Sequence, residues 1–288
     1  MDIQNIRAFL AVADTGSFSR AADKLFITQP AISKRISTLE ESLDCQLFDR
    51  LGKSIQLTQA GEALIPSYQR ILAEIDQTER IVSSLRTKVS GHLRFGTSHH
   101  IGLHRLPPVL RQYTRQFPDV ELDIQFMDSE QAAALILKGS IELALITLPD
   151  EIEKPLTTIP VWTDPMEVVV APDHPLSKQK TVTVRQLTEY GVLIQSHSTH
   201  TRNIIDDALK IDDDIRIIME SNYLETIKAM IQNGLGWGVL PESMIDDSLH
   251  RINIRGVEME RHLGVLLHAS RTLSSSANAL LETLKNSA

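Results

Sequence analysis

Two short stretches concentrate the side chains that could do chemistry: GTSHHIGLH (residues 96–104) and SHSTHTR (residues 196–202). Five of the ten histidines fall in them: His99, His100, His104, His197 and His200. Such a group could hold a metal ion across two loops, or carry a charge that follows pH. Its spacing is not a strong ligand signature, and no cysteine accompanies it. The same stretches carry Thr97 and Ser98, then Ser196, Thr199 and Thr201 beside Arg202. Hydroxyls at helix N-termini with one arginine fit a small carboxylate or an inorganic oxyanion. The plainer alternative is that each hydroxyl only caps its own helix. Enzyme signatures are missing: there is no G-x-S-x-G elbow and no G-x-x-x-x-G-K-[ST] loop. NGLGWGVLP also lies before a strand, where a dinucleotide fingerprint should open a helix. Catalysis is not expected, nor a resident metal or cofactor.

The elements that must position these groups alternate strand and helix from Gly91 onward. HLRFGTS, VELDIQFM and IELALIT read as strands of a βαβαβ series, with helices between them ending before Pro118 and at Gly139. A second series, MEVVVAP, GVLIQS, IRIIMES and WGVLP, begins near Trp162. Two α/β lobes are expected, the first over about 91–161 plus 265–288 and the second over about 162–264. The last strand (near Leu263 to His268) and helix (near Ser275 to Leu284) return to the first lobe. Ligands of such sheets sit beyond the carboxyl ends of the strands. That common end gathers Thr97, Ser98 and His99, Ser129 as a helix cap, and Thr147 from the first lobe. Ser196, Thr199, Thr201 and Arg202 come from the second.

The first 58 residues pattern differently. Ile6, Phe9, Leu10 and Ala13 recur at helical spacing, and Thr15-Gly16-Ser17 supplies a turn and an N-cap. Phe18, Ala21, Ala22 and Leu25 form the buried stripe of a second short helix. A third begins after Thr28 with Pro30 in its first turn, where a missing N–H costs nothing. Ile32, Ile36, Leu39 and Leu43 face inward, and Gln29, Ser33, Lys34 and Ser37 line the opposite face. Those side chains are of the kinds that hydrogen-bond base edges and phosphates, and such a helix suits the major groove. An ordinary three-helix packing unit is the alternative. Leu47, Phe48, Ile55 and Leu57 flank a turn at Leu51-Gly52-Lys53, giving a two-stranded wing with Arg50 and Lys53 near its tip.

The run FLAVADTGSFSRAADKLFITQPAISKRISTLEESL, followed by LFDR and LTQAGE, resembles the winged helix-turn-helix of LysR-type transcriptional regulators. The resemblance implies that Gln29, Pro30, Ser33 and Lys34 read bases, with Arg35, Arg50 and Lys53 nearer phosphates. It implies an α/β chain with an N-terminal winged helix-turn-helix over 1–58, a linker helix over 59–90, and a two-lobed, periplasmic-binding-protein-like effector domain over 91–288. The segment GTSHHIGLHRLPPVL resembles a subgroup associated with amino-acid biosynthesis operons, leucine included.

Between the two regions, Thr58 caps a run reaching about Thr87, roughly 45 Å of helix. Leu64, Tyr68, Ile71, Ile75, Thr78, Val82 and Leu85 alternate steps of four and three, a heptad seam, and Pro66 should kink or restart it. A helix lying on its own domain is the alternative. A paired seam makes a homodimer and an interrupted inverted repeat in double-stranded DNA. The resemblance adds a dimer of dimers, RNA polymerase as partner, and a small-molecule co-inducer.

Composition agrees. The net charge of −8 would count against a nucleic-acid partner, but residues 1–58 balance seven Lys or Arg against seven Asp or Glu. Between residues 20 and 39, Arg20, Lys24, Lys34 and Arg35 face only Asp23. No apolar run approaches the ~18 residues of a spanning helix, and the opening residues lack a basic leader. With Cys45 alone, a packing residue beside the reading helix or a redox switch, the chain is expected in the cytoplasm and off the membrane. A solute-binding protein would explain two lobes but not the helix-turn-helix.

Overall fold

A computed structural model describes residues 2–51, 54–84, 88–210 and 215–287. The expectations placed on Lys53 and Leu85 fall outside these. The chain divides into two compact units, residues 1–82 and 83–288.

In the first unit, α1 (Ile3–Thr15), α2 (Phe18–Lys24) and α3 (Gln29–Leu43) enclose a core of Ile6, Phe9, Val12, Phe18, Ile32, Ile36 and Leu39. Gly16 ends α1 at φ 61°, the left-handed conformation glycine adopts most readily, and Ser17 caps α2. Ala8, Ala21 and Ala22 are buried, their small side chains allowing the helices to close together. β1 (Phe48–Leu51) and β2 (Ser54–Leu57) form the antiparallel wing, and the Phe48 ring meets Phe9 at 5.4 Å. Cys45 packs against the same core. Glu40 was not foreseen: it is buried, and its Oε1 accepts from Leu47 N (2.7 Å) and Phe48 N (3.3 Å), fixing where the wing leaves α3.

α4 (Gln59–Ser84) is one helix through Pro66 and does not restart there. Its first half is not a free seam. Tyr68 is 2% exposed with its ring 5.6 Å from Phe9, and Leu64 and Ile71 pack on the same core. These contacts hold the turns on both sides of Pro66, so losing one i→i−4 bond does not part them.

The second unit has the two expected lobes, and among the described residues one nine-stranded sheet runs through both. The first lobe comprises β3 (Gly91–Thr97), α5 (His99–His104), α6 (Leu106–Gln116), β4 (Val120–Phe126), α7 (Ser129–Lys138) and β5 (Leu143–Thr147). The second comprises α8 (Val184–Thr188), β7 (Val192–Ile194), α9 (His200–Leu209), β8 (Ile217–Glu220), α10 (Leu224–Gln232), β9 (Trp237–Pro241) and β10 (His250–Arg251). Two long antiparallel strands, β6 (Leu156–Val170) and β11 (Met259–His268), run through both. The strand order is β4-β3-β5-β11-β6-β9-β7-β8, with β10 on β6. α11 (Ser275–Ser287) returns to the first lobe, where Ala277, Leu280 and Leu284 join Leu93, Phe95 and Val265 in its core. A separate core around Trp237, Val192 and Ile205 supports the second lobe.

Candidate functional site

The exposed face of α3 carries the first candidate site. Gln29, Pro30 and Lys34 are exposed and Ser33 half-buried, at the helix's N-terminal end. Gln29 Nε2 donates to Ser33 Oγ (3.1 Å), so the two polar groups most suited to base edges are held together. Arg35 is half-buried, its Nη1 donating to Gln4 Oε1 at 3.4 Å. Arg50 lies in β1 opposite Ile55.

The second candidate site is the cleft between the lobes, a cavity of about 50 Å³. From the first lobe it is lined by Ser98, His99, His100, Asp128, Ser129, Glu130 and Thr147. Gln195, Thr199, Thr201, Asn222 and Leu224 face them from the second, with Arg261 on β11. Of the nine positions expected here, Ser98, His99, Ser129, Thr147, Thr199 and Thr201 therefore do line the cleft. Thr97 is buried with its hydroxyl on Ser98 O (3.3 Å), and Ser196 forms the turn whose carbonyl accepts from Thr199 Oγ1 (3.0 Å).

Arg202 corrects the sequence reading most directly. It is 2% exposed and already engaged by neighbours in its own lobe. Its Nε donates to both carboxylate oxygens of Asp206 (2.8 and 2.9 Å), and Nη1 donates to Gln195 O (2.9 Å) with Glu220 at 3.5 Å. It braces its own lobe and is not among the residues that line the cleft. Ser129 is also not a helix cap: Asp128 occupies the N-cap position of α7, and Ser129 Oγ accepts from Thr147 N (3.2 Å).

The arginine in the cleft is Arg261. It pairs with Asp164, its cross-strand neighbour on β6, through Nε (2.9 Å), with Nη2 in charge contact at 2.8 Å. Its Nη1 donates to Thr201 Oγ1 (3.1 Å), and Arg105 Nη2 donates to the other Asp164 oxygen (2.9 Å). Burial works against the Asp164 carboxylate, but His100, Arg261 and Arg105 outweigh it and hold its pKa well below the usual carboxylate range. His100 Nε2 stands 3.5 Å from the same carboxylate, and burial lowers its pKa more than Asp164 raises it.

Hydrogen bonds close the cleft from both sides. Asn222 Nδ2 donates to Asp128 Oδ2 (3.0 Å), and His200 N, at the start of α9, donates to Glu130 Oε1 (2.8 Å). The His99 ring meets those of Phe126 and Tyr223, with centroids 5.2 and 4.6 Å away. Gln195 is 3% exposed, and neither its amide nitrogen nor its amide oxygen has a hydrogen-bond partner among the described residues. The five histidines do not converge: His197 lies by Arg202, His200 by Glu130, and only His100 and His104 meet.

Comparison with known proteins agrees with this architecture. Residues 3–62 match the model for the bacterial regulatory helix-turn-helix protein, lysR family, and residues 86–288 match that for the LysR substrate binding domain. The chain belongs to the LysR family of transcriptional regulators. It is a DNA-binding transcription factor with a ligand-binding domain, not an enzyme. A probable RuBisCO transcriptional regulator of Synechocystis is 31% identical, covering 97% of this chain and 84% of its own length. A regulator of Azotobacter vinelandii, named for its place in the ibpB-leuC intergenic region, is 56% identical over 108 residues, 38% of this chain and 75% of that one. Full-length CbnR, solved with its target DNA, shares the fold at a TM-score of 0.69, 18% identity and complete coverage of both chains. No helix among the described residues is long and apolar enough to cross a membrane.

Proposed function

We propose that the chain binds an interrupted inverted repeat in double-stranded DNA as a homodimer, paired into a tetramer, and acts on RNA polymerase under control of a small carboxylate in the interlobe cleft. Residues 1–58 read DNA, 59–90 join the copies and 91–288 sense the effector. Gln29, Pro30, Ser33 and Lys34 meet base edges; Arg35, Arg50 and Lys53 lie nearer phosphates. Exposed Val82 and half-buried Ile75 continue the α4 seam beyond the part packed on the winged domain.

The observation that carries the effector reading is Gln195, a buried amide with unused donor and acceptor facing the cleft. The cleft also pairs donors (Arg261, Ser98) with acceptors (Asp128, Glu130). That favours a carboxylate with an amine or hydroxyl of its own, a hydroxy or amino acid, over a bare oxyanion. At about 50 Å³ the cavity has room for only a few waters at ~10–15 Å³ each, so a ligand must part Asn222 from Asp128 and Glu130 from His200. Parting those contacts gives the ligand its differential affinity between two states. The resemblance of GTSHHIGLHRLPPVL to a subgroup associated with amino-acid biosynthesis operons supports such an operon as target.

The test is a thermal-shift panel of amino and hydroxy carboxylates on the full chain. A ligand at a hundred times its Kd adds about 2.7 kcal/mol, roughly 5–10 °C for a unit of this size. Gln195→Leu should abolish the shift. A full shift in that variant, or none with any carboxylate, would remove the proposal.

A further inference from the structure

At the edge of the cleft, α5 presents His100 and His104 four residues apart on one helical face. From the second lobe, α10 brings Glu225 against them. One ligand atom from each lies within 4.8 Å of the other two. His104 Nε2 and Glu225 Oε1 are 2.9 Å apart, and the two imidazole rings are 4.9 Å apart. We propose that His100, His104 and Glu225 form a binding site for a first-row divalent cation, zinc above all, that ties the two lobes together. This goes beyond the effector reading and does not depend on it.

Three observations carry the proposal. The donor set comes first: two imidazoles and one carboxylate suit zinc, whereas magnesium and calcium want oxygen ligands. Three protein ligands also leave a fourth position for water. Second, His100 is 6% exposed, and its buried Nδ1 has no hydrogen-bond partner among the described residues. A buried imidazole nitrogen left without a partner is open to a ligand from outside the chain. Third, Asp164 stands on the Nε2 side at 3.5 Å, the place of the carboxylate that orients a metal-bound histidine through its far nitrogen. Nδ1 is then the coordinating atom.

The distances are within reach. Bonds of ~2.0–2.1 Å at tetrahedral angles put ligand atoms about 3.3 Å apart, so the widest separation must close by roughly 1.5 Å. His104 and Glu225, 36% and 37% exposed, can supply that by side-chain rotation. The competing account is a simple hydrogen bond between His104 and Glu225 with no cation involved.

The experiment uses the full chain stripped of metal. Zn²⁺ is titrated in competition with a chromophoric chelator, and Co²⁺ is followed by its visible bands. The expected result is one equivalent of Zn²⁺ per chain and tetrahedral Co²⁺ bands. His104→Ala and Glu225→Gln should each weaken binding at least tenfold and lose the bands, while their metal-free melting curves match the parent. His92→Ala, in an exposed His92–Glu121 pair of the same composition, should change nothing. Zinc binding that survives both cleft substitutions, or that falls only with His92→Ala, would overturn the site, as would no binding at all.

Discussion

Asp164→Asn tests the electrostatic centre of the effector unit. Asp164 is 1% and Arg261 4% exposed, and the substitution keeps the shape while removing the charge that compensates the guanidinium. Breaking a buried pair by removing one partner costs about 3–5 kcal/mol. Arg105, 28% exposed, can turn to solvent and adds little. For a unit of this size each kcal/mol moves the midpoint by about 2–4 °C, so thermal unfolding followed by circular dichroism should fall by roughly 10 °C. The pH dependence supplies a second check. The folded pKa of Asp164 is depressed, so its contribution is complete above the unfolded value of about 3.9 and is lost as pH falls through the folded one. The gap between parent and variant should therefore narrow below about pH 4. A midpoint change under about 2 °C at neutral pH, or an unchanged gap at pH 3, would refute the assignment of Asp164 as the ionised hub.

Glu40→Ala strands the Leu47 and Phe48 amides and should cost the winged unit about 2–4 kcal/mol in urea unfolding; a loss under 1 kcal/mol would show that water replaces the carboxylate easily. Arg202→Ala should lower the melting temperature of the effector unit whether or not a carboxylate is present, because Asp206 and Glu220 lose their partner. Loss of effector response at unchanged stability would restore the anion-binding role. His174 is buried, accepts from Leu176 N through Nδ1, and has its pKa lowered by burial, with Asp173 opposing. The unfolded chain takes up the proton first, so stability should decline as pH falls below about 6.5, and His174→Asn should flatten that slope while keeping the cap. Gln29→Ala and Ser33→Ala should relax sequence preference by roughly 1–3 kcal/mol per bidentate contact in competition binding; equal weakening on all DNA would count against base reading.

The helix-turn-helix was legible in the sequence because its signals are local. Gly16, Ser17, Pro30 and the apolar stripes act within a turn or two of themselves. The cleft was half legible for the same reason: Ser98, Ser129 and Thr199 follow strands, and strand ends converge. Arg261 and Asp164 were missed because their meaning depends on pairing across 97 residues, which no local pattern carries. A signal was available for Arg261, a charge in a strand otherwise largely buried. Arg202 misled for the converse reason. A lone arginine beside a helix start suits an anion, and only the fold shows Asp206 and Glu220 already on it. The tandem His99 and His100 were expected to point to opposite sides, but nothing local showed that one would meet the Phe126 and Tyr223 rings and the other the buried Asp164.

The lobes are joined by two strands bonded to each other over most of their length, from Met259–Met166 to His268–Leu156, interrupted by one register shift beside Gly264. A side chain at Gly264 would strike Ile159 O, so that break is fixed in place. A ribbon of this kind resists hinging in its plane and yields by twisting about its length. Opening the cleft should then be a small rotation of one lobe about the ribbon axis, with Asp164 and Arg261 near the axis and moving least. Groups far from the axis sweep the longest arcs, so a ligand of a few atoms can be amplified at the outer ends of the sheet without any strand being unpaired.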